Sequence, residues 1–212
     1  KFREYFTSKD RDKYKNKNQY KNILEGYNII FVHMEGMETY LMDVKFNGVE
    51  AVPNVKKLAN EGMFFSKFYP QISSGTSSDT EFTLLTSLMP AQSGTIFTSY
   101  YDRDYVTIPK LLKEKGYYTF SMHGNHMSMW NRSNVHPKLG YTGWYFKEAF
   151  DFNDDLQSED CINLGISDKL FFKQAVPILE QIEEEYKNYM GTVITLSNHS
   201  PFKYLEKYGE YD

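Results

Sequence analysis

Hydrophobic positions along the chain fall into short runs broken by polar stretches, and two spacings alternate. Ile29-Ile30-Phe31-Val32 is a continuous β-branched run, the pattern of a buried parallel strand rather than an amphipathic one. PNVKKLANE, residues 53–61, sets Val55, Leu58 and Ala59 at helical spacing, with Pro53 in the first turn and Gly62 at the stop. MFFSKFY, 63–69, predicts a second strand. DTEFTLLTSLMP predicts a helix from about Asp79 to Leu88, closed by Pro90. TIPKLLKEKG predicts a helix ended by Gly116, and YYTFSMHG, 117–124, a strand running into a loop. SDKLFFKQAVPILEQIEEEYKN predicts a helix start at Ser167 and a long helix after Pro177. GTVITLSNHSPF, 191–202, predicts a strand and then a polar loop. This alternation predicts an α/β fold: a mostly parallel central sheet with helices on both faces.

Composition supports a packed domain. The 212 residues are 41% hydrophobic and 17% aromatic, enough for a core. A mild net charge of -4 gives, by charge alone, no strong case for nucleic-acid binding. One cysteine, Cys161, excludes an internal disulfide and a cysteine-built metal site. No run approaches the roughly 20 apolar residues that span a bilayer. Residues 1–22 are rich in Lys, Arg, Asn and Tyr and are expected to form a basic linker. A chain beginning at Lys1 is expected to be a piece of a longer protein, with a membrane anchor upstream. The linker would then lie near anionic lipid headgroups.

The candidate chemistry gathers where strands should end, the edge at which open α/β sheets bind ligands. Four polar clusters fall there: His33-Met34-Glu35, the hydroxyl-rich SSGTSSDTEF from Ser73 to Phe82, His123-Gly124-Asn125-His126, and Asn198-His199. Glu35 suits a divalent cation, or is a plain loop acid. SSGTSSDTEF leads into a helix whose free N–H groups suit a phosphate, and Ser78 or Asp79 would cap that helix. A hydroxyl there needs a base or a metal to become a nucleophile. HGNHMSMWNR, His123 to Arg132, adds a guanidinium fork for phosphate oxygens and the flat wall of Trp130. His199 would bind a phosphoryl oxygen or shuttle a proton, or simply sit in a turn closed by Pro201.

In their order and spacing these segments resemble the lipoteichoic acid synthase family, phosphoglycerol transferases of the alkaline phosphatase and sulfatase superfamily. The likeness runs from about Asn28 to Phe202 through NIIFVHMEG, GTSSDTEF, HGNHMSMWNR with the following LGY, INLGISDKLFF and SNHSPF. It implies an alkaline phosphatase/sulfatase-like sheet, with 23–212 as the N-terminal portion of the transferase domain. It implies Glu35 as a metal-binding residue and Ser77 as nucleophile and metal ligand, with Thr76 as the alternative one position earlier. His123, Trp130, Arg132 and His199 take the substrate-binding positions, and Met129 falls where an aromatic often lines the pocket. The implied metal is Mn²⁺, with Mg²⁺ as the alternative. The implied substrates are phosphatidylglycerol and a glycerophosphate polymer or glycolipid acceptor. Action is expected at the membrane surface, on the extracellular face of the bacterial membrane, with no nucleic-acid partner. The family completes its metal site with a downstream Asp-His pair, and none of the five histidines here follows an aspartate. The domain is therefore expected to be C-terminally truncated and inactive as this piece alone.

Three other readings compete. A sulfatase requires Cys or Ser in a C/S-x-P-x-R context, and Ser77-Ser78-Asp79-Thr80-Glu81 lacks the Pro and the Arg. A phosphoethanolamine transferase would usually carry disulfide cysteines. A non-catalytic relative would bind glycerophosphate or lipid headgroups without turnover.

Overall fold

The computed structural model describes residues 19–162 and 164–202. Residues 1–18, most of the expected linker, lie outside them. In chain order the elements are β1 (Ile29–His33), a short hairpin of β2 (Lys45–Phe46) and β3 (Val49–Glu50), α1 (Pro53–Glu61), α2 (Ser77–Thr86), α3 (Ile96–Ser99), α4 (Ile108–Lys113), β4 (Tyr118–His123), α5 (Arg132–Leu139), β5 (Gly143–Tyr145), a second hairpin of β6 (Cys161–Ile162) and β7 (Gly165–Ile166), α6 (Asp168–Glu185) and β8 (Tyr189–Ile194).

β1, β8, β4 and β5 form one parallel sheet in that order. Its register sets the site: Ile194 of β8 pairs with His33 on one side and His123 on the other. Two strands that end in histidine thus finish level, and their loops leave from one edge. The strand alternation divides two cores between the faces. Phe120, Met122 and Val193 pack with Phe171, Ala175 and Ile182 of α6. Met190 packs with Phe82 and Leu85 of α2, Phe97 of α3, and Val135 and Leu139 of α5. β4 carries its polar residues on this second face, and all three are buried. Thr119 Oγ1 donates to the Gly140 carbonyl at 2.8 Å, and Ser121 Oγ lies 2.8 Å from His136 Nδ1. His123 stands at the strand end. Buried hydroxyls in a strand are tolerable because each has a partner.

The α/β architecture and parallel sheet are as expected, and four local expectations change. β1 is parallel but lies at the edge, with Ile30 and Val32 exposed, so its aliphatic run is half-buried. MFFSKFY is not a strand: the segment is irregular, with Met63, Phe64, Phe65, Phe68 and Tyr69 exposed. Its β-propensity has no pairing partner among the described residues, and propensity without a ladder does not hold a strand. The helix expected over 79–88 spans Ser77–Thr86 instead, because the turn before it is pinned from inside the helix. α6 runs unbroken through Pro177. Its inward residues Phe171, Ala175 and Ile182 are buried against the sheet and hold the helix past the lost hydrogen bond.

Candidate active site

The turn into α2 explains which hydroxyl faces inward. Ser78 N–H donates to the Gly75 carbonyl at 2.9 Å, closing a turn with Thr76 at its first central position. Thr76 has φ 43° and ψ -111°, the conformation of a type II′ turn, which favours Gly and strains a β-branched residue. Asp79 holds the turn. Its Oδ2 accepts from Ser73 N–H at 2.8 Å and from Gly75 N–H at 3.0 Å. A Cβ at Gly75 would come within 2.3 Å of Asp79 Oδ1, so only glycine fits beneath the carboxylate. Of the two expected caps, Asp79 therefore secures the loop, and Ser78 Oγ donates back to the Gly75 carbonyl at 2.7 Å.

The result separates the two nucleophile candidates. Thr76 is exposed, whereas Ser77 is buried at the first position of α2. Ser77 Oγ donates to Glu35 Oε2 at 2.6 Å. Glu35 stands just past β1 and is placed by its neighbours. Its N–H donates to Thr195 Oγ1 at 2.9 Å. Beside it, a Cβ on Gly36 would meet the Asn198 carbonyl at 2.4 Å, so the Glu35 and His199 loops touch backbone to backbone. His33 Nε2 lies 3.9 Å from Glu35 Oε2, and His33 Nδ1 is buried without a partner. His33 is absent from the site residues assigned by sequence. The available signal was its place two residues before Glu35 at a strand end.

Behind Ser77 lies a buried charged cluster. Glu81, one helical turn on, accepts from Arg132 Nε at 3.2 Å and Nη2 at 2.5 Å, and lies 3.1 Å from His136 Nε2. Ser121 completes the chain at His136 Nδ1. Burial opposes the Glu81 charge, but Arg132 and His136 outweigh it and hold the carboxyl well below the usual carboxylate range. Burial pushes His136 down despite Glu81, so the ring is neutral at pH 7 and its Nε2–H donates to the carboxylate. Arg132 is thus committed on one side. Its Nη1 is buried and has no partner.

His123 is also neutral. Burial, reinforced by the Arg132 charge, pushes it down to about 3. Its Nδ1 lies 3.0 Å from the Ile194 carbonyl, which can only accept, so Nδ1 carries the hydrogen and Nε2 the lone pair. Trp130 and Asn131 both have left-handed backbones, φ 53° and 56°. Asn131 Nδ2 donates to the Phe97 carbonyl at 2.7 Å, anchoring this kink at the start of α5. Trp130 is partly buried against the α2–α5 core, and Met129 is exposed. His199 is half-buried in the β8 loop, where its N–H donates to the Leu196 carbonyl at 3.0 Å and its ring meets the Ser200 carbonyl. The structure therefore joins Glu35 and Ser77 directly, adds His33, sets the His199 loop against Gly36, and backs α2 with Arg132.

The chemistry of Glu35 and Ser77 fits part of a hard-cation shell, since both offer oxygen donors. Glu35 Oε1 makes no hydrogen bond among the described residues, so that oxygen is available. Two donors are fewer than a complete protein site. Among the described residues no group of three or more His, Cys, Asp or Glu is placed to hold a metal ion. No helix among them is long and apolar enough to cross a membrane.

The sulfatase family matches residues 27–212. The chain is 34% identical over 193 residues to lipoteichoic acid synthase 1 of Bacillus subtilis (strain 168), covering 89% of this chain and 29% of that protein. It is 33% identical over 193 residues to the lipoteichoic acid synthase of Staphylococcus aureus (strain USA300), with the same coverage of 89% and 29%. In structure it is similar to the lipoteichoic acid synthase LtaP from Listeria monocytogenes, with a TM-score of 0.85 and 30% identity, covering 93% of this chain and 47% of that one. The fold also matches the Streptococcus pyogenes phosphoglycerol transferase GacH, solved in complex with sn-glycerol-1-phosphate, at a TM-score of 0.56 and 22% identity over 85% of this chain and 47% of that one. The chain spans less than a third of the length of these curated relatives and about half of each solved chain.

Proposed function

The chain belongs to the sulfatase family, and from that membership we propose that it is the nucleophile-bearing part of a phosphoglycerol transferase. The reaction would move glycerophosphate from phosphatidylglycerol to a lipoteichoic-acid-type polymer or a glycolipid. The observation that carries the reading is the 2.6 Å hydrogen bond from Ser77 Oγ to Glu35, at a helix start backed by Arg132. Its likeness to lipoteichoic acid synthases supports the choice of substrate.

In this reading Ser77 Oγ gives its proton to Glu35 and forms a bond to phosphorus. The ester oxygen of diacylglycerol leaves with its bonding pair and takes up a proton, and a glycerophosphoryl ester remains on Ser77. A terminal glycerol hydroxyl of the acceptor then attacks that phosphorus, its proton passing to solvent, and Ser77 Oγ leaves with its bonding pair and recovers its proton from Glu35. Arg132 Nη1 and the α2 N-terminus stabilise phosphoryl oxygens, and His123 Nε2, an acceptor when neutral, takes a hydrogen bond from a glycerol hydroxyl. His199 and Trp130 border the headgroup, with Met129 at the outer rim. Glu35 and Ser77 would hold Mn²⁺, or Mg²⁺ in its place. A bound cation supplies Lewis acidity, which lowers the pKa of the hydroxyl it touches. The site of action is the extracellular face of the membrane, where phosphatidylglycerol and the acceptor meet.

Intact mass measurement on a longer form of the protein, after incubation with Mn²⁺ and phosphatidylglycerol vesicles, tests the proposal. The expected product is a glycerophosphoryl adduct on the peptide holding Ser77, absent in Ser77→Ala and kept in Thr76→Ala. An adduct on Thr76 would overturn the assignment. A non-catalytic binder is the second reading, favoured by the absence of a three-ligand cluster among the described residues. It predicts headgroup binding with no adduct, including in a longer form of the protein.

A further inference from the structure

The segment INLGISDKLFF, residues 162–172, carries part of the family likeness, yet none of its residues has a place in the chemistry above. Its contacts suggest a role. Ile166 N–H donates to the Gly124 carbonyl at 2.9 Å, tying the β6–β7 hairpin to the loop that follows His123. Ser167 Oγ caps α6 by accepting from Leu170 N–H at 3.4 Å, and Ser167 N–H donates to the Asp160 carbonyl at 2.7 Å. With the helix start secured this way, Asp168 is free to reach the loop after β8. Its Oδ1 accepts from Leu196 N–H at 2.7 Å and its Oδ2 from Ser197 N–H at 3.0 Å. In return Asp168 N–H donates to Ser197 Oγ at 2.8 Å. Both carboxylate oxygens are spent on a turn nearly thirty residues away, rather than on α6 itself.

That turn has two neighbours. Upstream, Thr195 N–H donates to the His33 carbonyl at 3.0 Å, and Thr195 Oγ1 receives the Glu35 N–H. Downstream, Asn198 lies against Gly36, and His199 N–H donates to the Leu196 carbonyl. Without Asp168, two backbone N–H groups in a half-buried turn would lose their acceptors, and the turn would have no fixed geometry. We infer that Asp168 is a positioning residue of the candidate site: through Leu196 and Ser197 it fixes the turn that presents His199 and abuts Glu35. The inference rests on the reading of His199 as a phosphate-binding group.

The test uses ¹⁵N-labelled chain, NMR-detected amide exchange, and the His199 imidazole resonances. Asp168→Asn keeps the volume but turns an N–H toward one of the two donors, and Ser197→Ala deletes the hydroxyl that accepts from Asp168 N–H and also interacts with its carboxylate, while leaving both backbone bonds to that carboxylate. In Asp168→Asn, exchange at Leu196 and Ser197 should accelerate about tenfold or more, the equivalent of one hydrogen bond. The His199 ring signals should move toward those of an unstructured histidine, while β4 amides stay protected. Ser197→Ala should move His199 the same way by a smaller amount, and it serves as the decisive variant if Asp168→Asn does not fold. Unchanged Leu196 and Ser197 protection, or unmoved His199 signals, in a folded variant overturns the inference. Adding sn-glycerol 1-phosphate should shift the His199 signals of the unmodified protein, with about tenfold more needed in Asp168→Asn. If this probe moves nothing in the unmodified protein while the variants still free His199, the phosphate reading fails and the positioning role stands.

Discussion

Acid should unfold this domain through His123 well before its carboxylates take part. The ring is buried, donates Nδ1–H to the Ile194 carbonyl, and faces the field of Arg132. Burial, and then Arg132, lower its pKa from 6.5 to about 3. Above pH 6.5 the ring is neutral in both folded and unfolded chains, so its contribution to stability is complete there. As pH falls below 6.5 the unfolded chain binds a proton that the folded chain refuses, and stability drops until pH reaches the folded value. Each pH unit costs about 1.4 kcal/mol once the unfolded histidine is mostly protonated, so lowering pH from 6.5, where it is half protonated, to 4.5 removes about 2 kcal/mol. Burial lowers His136 too, so it adds to the slope. Asp168, its carboxyl raised by burial, works in the opposite direction where the folded chain protonates it first. Glu81, with a depressed value, stabilises above the usual carboxylate range and withdraws support only below it. Urea unfolding followed by the fluorescence of Trp130 and Trp144 at stepped pH measures the slope, and NMR of the His123 ring reads its protonation directly. The expectation is a ring neutral at pH 5 and a fall of about 2 kcal/mol or more, with a shallower slope in His123→Gln. A ring titrating near 6.5, or equal slopes in both proteins, would refute the electrostatic reasoning.

Two more perturbations probe the same scaffold. Glu81→Gln leaves the Arg132 charge buried without its counter-ion and should cost about 3–5 kcal/mol in urea unfolding. A loss under 1 kcal/mol would mean the pair is dispensable. Thr76→Gly relieves a strained backbone worth roughly 1–3 kcal/mol against the roughly 0.5–1 kcal/mol entropy cost of glycine. The melting temperature should hold or rise, and a clear drop would argue against strain at the turn.

Much of this protein could be read from residues close together in the chain. Strand–helix alternation predicted the parallel sheet, because a continuous apolar run and a helical stripe are local patterns. The order of the motifs identified the family likeness, and Gly62 marked the end of α1, whereas α4 stops at Lys113, three residues short of the expected Gly116. Other features lay beyond the sequence because they depend on partners far along the chain. Whether MFFSKFY forms a strand depends on a neighbour to pair with, and no local propensity supplies one. The half-exposed character of β1 follows from its edge position, which its own residues do not encode. The orientation of Ser77 rather than Thr76 toward Glu35 arises from a turn clamped by Asp79 and from β1 lying beside α2. Arg132 looks like a free phosphate fork in HGNHMSMWNR, but burial beside Glu81 commits its Nε and Nη2 to that carboxylate, because a buried guanidinium must be paired, and leaves Nη1 without a partner. Local pattern therefore determined the elements and the residue types of the site. Only tertiary contact decided which oxygen faces which acid, since hydrogen bonds and burial act between residues that sequence distance does not relate.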